Sequence, residues 1–172
     1  MIAFEEGEYT KAVELWSSLA EQGDVQSQIR LGIMYARGNG VQRDGKEAQK
    51  WFQKAADLGS AEGEYNLGVL CENARSYDMP ADFEAAMMWY RKAAEKGHIE
   101  AQYSLGVNYF RGVGVPQDNL MSYAWMNLAA SQGHTHAENR RDLIASIFTS
   151  EELARANELA AELLANYGHK GK

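Results

Sequence analysis

Small and apolar residues recur along this chain at helical spacing, in two alternating stripes. Ser27, Leu31, Tyr35 and Gly38, and again Ala101, Leu105, Tyr109 and Gly112, stand four or three residues apart, the spacing that lines one face of an α-helix. We label these segments helix A. Ala48, Trp51, Phe52 and Ala55 trace a second stripe, helix B, preceded by Asp44. A carboxylate there can accept a hydrogen bond from the orphan N–H groups of a starting helix. Asp82 and Asp118 hold the same place, with Pro80 and Pro116 two residues ahead of them. Gly23, Gly59, Gly97 and Gly133 each end an Ala-rich run or its equivalent and are expected to be C-caps. Short connections of this kind make neighbouring helices antiparallel.

The two stripes repeat as a unit. The four terminating glycines are 36, 38 and 36 residues apart. Leu31-Gly32, Leu67-Gly68 and Leu105-Gly106 follow three of them at one fixed offset, and Leu15-Trp16, Trp51-Phe52, Trp89-Tyr90 and Trp125-Met126 precede all four at another. Such self-similarity marks a repeat architecture. A single hairpin has no second layer against which to bury its Trp and Leu stripe, so the units are expected to stack and share a core. The expected boundaries are a partial repeat over 7–23, repeats over 24–59, 60–97 and 98–133, capping helices over 134–167 and a tail over 168–172. The middle repeat departs from its neighbours. Ser76-Tyr77-Asp78-Met79-Pro80 stands where the others have Gly38-Asn39-Gly40-Val41 and Gly112-Val113-Gly114-Val115, so its loop is expected to take another shape.

Ala101-Gln102-Tyr103-Ser104-Leu105-Gly106-Val107-Asn108-Tyr109, then Gly112-Val113-Gly114-Val115-Pro116-Gln117-Asp118, and Trp89-Tyr90-Arg91-Lys92-Ala93-Ala94-Glu95-Lys96-Gly97 resemble the Sel1-like repeat family. The resemblance runs from about Gly7 to Gly133. It implies an all-α fold, a right-handed α/α superhelical solenoid of antiparallel helix hairpins akin to tetratricopeptide repeats. It also implies adaptor roles in assembling protein complexes, in bacterial envelope or signalling systems and in eukaryotic quality control of secretory proteins. Arg141-Asp142 replaces the Leu-Gly pair in the would-be fourth unit.

At the N-terminus Gly7-Glu8-Tyr9 reads as a turn, followed by Ala12, Leu15, Trp16 and Leu19 in a helix B whose own helix A is a six-residue stub. The boundary reads as cut from a longer protein or as a solenoid beginning with an unpaired helix, and weak self-association through that uncovered helix is expected. At the other end, His134 to Ile147 continues as helix. Thr149 and Glu152 have the spacing of a capping box, and Leu153, Ala156, Ala160, Leu163 and Leu164 make a last amphipathic helix that closes the stack. His169 to Lys172 is expected to be disordered.

Composition narrows the chemistry. With 172 residues and a formal net charge of −7, the chain repels nucleic-acid phosphates, so no nucleic-acid partner is expected. One Cys excludes an internal disulfide framework or Cys-rich zinc module. No apolar run is long enough to insert in a membrane. As written the chain reads as cytoplasmic, or as periplasmic or secreted if an export signal has been removed. No His-Glu-x-x-His, Cys-x-x-Cys, Gly-x-Ser-x-Gly or phosphate-loop motif occurs, and no metal, cofactor or catalytic residue is assigned. His98 and His134 follow their glycines where other units have Asp24 and Ser60, which points to helix capping. His134 and His136, two residues apart, are a poor chelating pair. Cys71 shares the register of Tyr35 and Tyr109 and is expected to be a buried, inert thiol. The four Trp residues recur in step with packing alanines, as core side chains do.

Binding is therefore expected on the concave side formed by the A helices, the surface implied by the tetratricopeptide likeness. Helical geometry leaves Gln26, Ile29, Ile33, Ala36 and Arg37, then Glu62, Tyr65, Val69, Glu72 and Asn73, then Glu100, Tyr103, Val107, Phe110 and Arg111 facing it. They offer an aromatic and aliphatic floor with carboxylates at one edge and Arg at the other. Packing of Tyr65 and Tyr103 against the next unit is an equal alternative. Four A helices packed about 10 Å apart give a groove of roughly 30 Å, room for about nine extended residues of a peptide or partner protein. The rival reading is a hydrolase directed at β-lactams or glycans, with Glu62 and Glu100 as paired carboxylates. Neither has an evident apolar pocket to raise its pKa, and the paired cysteines of the β-lactam-associated branch are missing.

Overall fold

The computed structural model describes residues 6–77 and 79–168. Among these residues every regular element is helical. The α-helices are α1 (Glu6–Glu21), α2 (Val25–Arg37), α3 (Gly45–Asp57), α4 (Ala61–Glu72), α5 (Phe83–Glu95), α6 (Ile99–Arg111), α7 (Asn119–Ser131), α8 (Thr135–Ala145) and α9 (Ser150–Tyr167). The odd-numbered members up to α7 are B helices, and α2, α4, α6 and α8 are A helices. In the middle repeat a short 3₁₀ turn, Ala74–Tyr77, replaces the glycine loop, the departure its sequence led us to expect. The chain forms two compact units, one ending at Asp82 and the other starting at Phe83. In the first, α1 packs on α2, α2 on α3 and α3 on α4; in the second, α5 packs on α6, α6 on α7, and α7 on both α8 and α9.

The caps set the helix boundaries. Asp24 accepts from the Ser27 N–H at 2.7 Å, and hydrogen bonding from the Ser27 side chain and then its backbone holds the Asp24 carboxyl below its ordinary range. Asp44 accepts from Lys46 and Glu47, and Asp118 from Met121. The terminating glycines all adopt positive φ, for instance +85° at Gly59, where a side chain would strain the backbone. His98 and His134 accept through Nδ1 from the Ala101 and Ala137 N–H groups at 3.3 and 3.0 Å. Their role is capping, as their register indicated.

Packing follows the Leu-Gly pairs. Leu31, Leu67 and Leu105 are fully buried, and Gly32 and Gly106 beside the first and last of them let helix B close in. A Cβ on Gly106 would lie 2.6 Å from Met126 Cγ and 3.2 Å from the Ser122 carbonyl oxygen. The Ser122 hydroxyl also donates to the Gly106 carbonyl at 2.7 Å, drawing α7 onto α6. Gly40 serves a second approach: a Cβ there would lie 2.7 Å from the Tyr9 carbonyl carbon, so the α2–α3 loop rests on α1. Buried glutamines, which the stripe pattern did not single out, tie α2 and α6 to the B helix before each. Gln28 Nε2 donates to the Ala20 carbonyl at 3.1 Å and Gln102 Nε2 to the Ala94 carbonyl at 3.2 Å.

Trp51 and Trp125 are buried and Trp16 and Trp89 half-buried, so the tryptophans are packing residues. Cys71 is half-buried rather than buried, because the 3₁₀ turn leaves its flank partly open. Burial, then the Asp82 charge, pushes its thiol pKa up, away from reactivity. On α1, Leu15 is 62% exposed and Leu19 is also exposed, whereas their counterparts Trp51 and Ala55, and Trp125 and Ala129, are buried. The tail 169–172 and the first five residues of the N-terminal stub lie outside the described residues, and Gly7-Glu8-Tyr9, expected as a turn, is instead part of the first turns of α1.

Helix α9 covers the second unit. Ala156 and Ala160 join Tyr123, Met126 and Ile144 in one core, and the Tyr123 hydroxyl donates to Asn157 Oδ1 at 2.9 Å. The capping box is formed: Thr149 N–H donates to Glu152 Oε2 at 2.8 Å, and Glu152 N–H donates back to Thr149 Oγ1 at 3.2 Å.

Two outcomes follow. Gly106→Ala forces α6 and α7 apart at a cost of about 1–3 kcal/mol, outweighing a helix-propensity gain of at most about 1 kcal/mol. A lower urea midpoint at unchanged slope is expected. The Thr149 backbone and then its side chain hold the Glu152 carboxyl below its ordinary value of 4.5. Its contribution to α9 is therefore complete above that value and is lost as pH falls through the lowered one. Amide exchange of α9 should quicken relative to α7 in that acid range, and Glu152→Gln should flatten this dependence.

Candidate functional site

The A helices carry the residues predicted to bind, and the structure sorts them. In the first unit Gln26, Arg37, Glu62 and Asn73 are exposed, while Ile33, Ala36, Tyr65, Val69 and Glu72 are half-buried. Ile29 is a correction: it is 1% exposed and belongs to the core. Helix α2 is gripped by α1 on one side and α3 on the other, so its buried arc is wider than a single stripe and takes in Gln28, Ile29 and Leu31 together. In the second unit Glu100, Phe110 and Arg111 are exposed, and Tyr103 and Val107 are half-buried against the α7–α9 core.

Tyr103 has a partner on the next A helix. Its ring stacks on His134 with centroids 4.6 Å apart, and the Arg140 guanidinium lies 5.9 Å from its centroid. His134 Nε2 is 3.4 Å from Glu100 Oε2. The packing alternative for Tyr103 is thus realised, although part of the ring stays accessible.

Each unit has a small cavity between successive A helices. In the first, Ile33, Ala36 and Arg37 of α2 face Asn66, Val69 and Leu70 of α4 over the ring of Phe52, with Tyr77 at one end, around about 140 Å³. Tyr77 is held by the Arg43 guanidinium, 4.5 Å from its ring centroid. In the second, Phe110 of α6 faces Arg140, Leu143 and Ile144 of α8 over Met126, around about 70 Å³. Small-molecule sites run to roughly 300–1,000 Å³; these cavities are the size of a side chain.

Sequence reasoning chose Ile33, Ala36, Arg37, Val69 and Phe110 among the lining residues and missed Phe52, Asn66, Leu70, Tyr77, Met126, Arg140, Leu143 and Ile144. The missing signal was available. Counted from the preceding glycine, Arg140, Leu143 and Ile144 hold the places of Asn66, Val69 and Leu70, so α8 is an A helix in register despite Arg141-Asp142. Arg141 is turned aside to Asp142 at 2.7 Å and Asn127 at 3.3 Å.

The hydrolase reading finds no support in this geometry. Glu62 and Glu100 are both exposed and line neither cavity. Among the described residues, no group of three or more His, Cys, Asp or Glu side chains is placed to hold a metal ion, and no helix is long and apolar enough to cross a membrane.

The helix-hairpin register is that of a known family. The Sel1 repeat model matches residues 6–24, 25–60, 61–98 and 99–134, and the chain belongs to the Sel1 repeat family. A protective antigen of uropathogenic Escherichia coli with the SLR fold superposes at a TM-score of 0.82 and 31% identity, over 91% of this chain and 33% of that one. A Sel1 repeat protein from Oxalobacter formigenes gives 0.72 and 32%, over 90% and 46%. The all-α solenoid class expected from the resemblance is the one these structures share. Among curated relatives, DAP3-binding cell death enhancer 1 of Rattus norvegicus is 43% identical over 60 residues, 35% of this chain and 12% of that protein. An F-box protein of Arabidopsis thaliana is 36% identical over 76 residues, 44% of this chain and 21% of that one. The chain thus spans only a small part of these relatives. Sel1 repeat proteins are generally non-enzymatic scaffolds for protein–protein interaction.

The caps make a test of the histidine. His134→Ala should cost about 1 kcal/mol in urea unfolding, the usual loss for a removed N-cap, and His134→Asn should recover most of it. Equal losses for the two variants would show that the ring stack, not the cap, is the contribution.

Proposed function

We propose that this chain is a scaffold that holds a segment of a partner protein on the accessible faces of its A helices. The observation that carries this reading is the pair of side-chain-sized cavities between successive A helices, repeated in the same register in both units. A partner segment is recognised there by individual side chains entering the cavities, while the exposed Gln26, Arg37, Glu62, Asn73, Glu100 and Arg111 meet its polar groups. Ile33, Tyr65, Val69, Tyr103, Val107 and Phe110 supply the apolar contact between them. Arg and Tyr are frequent hot-spot residues. Ile29 is withdrawn from the set.

Tyr103 is a poor single probe, because its loss also removes the His134 stack. The exposed arginines are better ones. A double variant, Arg37→Glu with Arg111→Glu, should lower affinity at least tenfold for peptides selected by wild-type protein from a displayed random library. Circular dichroism and the urea midpoint should be unchanged. Selection of no peptide, or undiminished affinity in the variant, would remove these faces as the binding surface.

A further inference from the structure

The two cavities share a register but not a chemistry. Phe110, Met126, Arg140, Leu143 and Ile144 of the second unit stand at the places of Ala36, Phe52, Asn66, Val69 and Leu70 of the first. In the first, Arg37, Asn66 and Tyr77 bring polar atoms to the wall. In the second the wall is carbon apart from Arg140, and two of its members are open to solvent: Leu143 is 69% exposed and Phe110 38%. Single exposed apolar residues are ordinary, but a cluster around a cavity marks an interaction site.

Arg140 on its wall and Arg111, next in the chain to Phe110, are the second observation. In a chain of net charge −7, Arg140 and Arg111 are both exposed, and neither makes an ion pair with a described residue. Arg141, one position away, is by contrast tied to Asp142 and approaches Glu138 at 4.0 Å. Arg111 also complements the C-terminal end of α6; Arg140, in the middle of α8, has no such role. A guanidinium at the rim of an apolar pocket, set against the Tyr103 ring but outside any ion pair with a described residue, matches a carboxylate adjoining a large apolar side chain.

Resting on the scaffold reading above, we infer that the cavity between α6 and α8 takes a Leu-, Met- or Phe-sized side chain of a partner's peptide segment, with a neighbouring Asp or Glu held by Arg140 and Arg111.

Four fluorescein-labelled ten-residue peptides, crossing a central Leu or Gln with flanking Glu or Lys in a Gly/Ser background, test this by anisotropy with the full chain. The Leu/Glu peptide should bind about tenfold more tightly than either single exchange and should shift the Ile144 methyl resonance. Leu143→Gln should abolish the preference for Leu, and Arg140→Glu with Arg111→Glu should reverse that for Glu over Lys. All three positions are exposed, so unchanged circular dichroism is expected. Binding indifferent to the flanking charge, or methyl shifts at Ile33 and Val69 in place of Ile144, would overturn this inference and leave the scaffold reading standing. No binding by any of the four at millimolar concentration would overturn both.

Discussion

Close contact between helix A and helix B at the Leu-Gly pairs of α2 and α6 is the constraint on which the α2–α3 and α6–α7 hairpins depend. The leucine enters the core and the glycine beside it removes the one atom that would hold the helices apart. At Gly106 the space of a Cβ is filled by Met126 and the Ser122 carbonyl, and the Ser122 hydroxyl is bonded across the same contact. Interiors packed to this density do not yield to an added methyl without displacement. The large residue on helix B and the missing side chain on helix A are two halves of one device.

That device leaves the rest of helix A available. Because the Leu-Gly side of α2 and of α6 is committed to the core, their flanks are left to border α4 and α8, and shallow spaces remain where the flanking side chains do not fill the gap. The cavity chemistry then varies at positions of the A helices that do not carry the hairpin contact, whereas Phe52 and Met126, which do carry it, are both large. Asn66 and Arg140 share a place, as do Ala36 and Phe110, and both cavities persist. A repeat protein diversifies its binding surface in this way: register is held by a few buried positions, and specificity is written on the positions between them.

Helix α8 shows how far this freedom extends. It lacks the Leu-Gly pair, yet Ala137 and Ile144 still enter the core, and Arg141 is satisfied by Asp142 and Asn127 at the surface. The adjacent α9 supplies the remaining cover for α7 through Ala156 and Ala160, fastened by its capping box. The Leu-Gly signature is therefore dispensable in α8, whose Ala137 and Ile144 reach the core without it.

The sequence by itself determined the all-α class, the hairpin unit and its caps, since these rest on local rules: Asp and His at helix starts, glycine at positive φ, and stripes at helical spacing. Of the A-helix positions it singled out, Gln26, Arg37, Glu62, Asn73, Glu100, Phe110 and Arg111 are exposed and most of the others are half-buried. Only the tertiary structure decided that Ile29 is buried, because α2 is enclosed from two sides and one helix's periodicity carries no knowledge of its neighbours. It also decided that Tyr103 shares its ring with His134, and that Arg140, Leu143 and Phe110 meet around one cavity. Those are contacts between elements more than a helix apart in the chain, fixed by how helices sit on one another and not by the spacing within any of them.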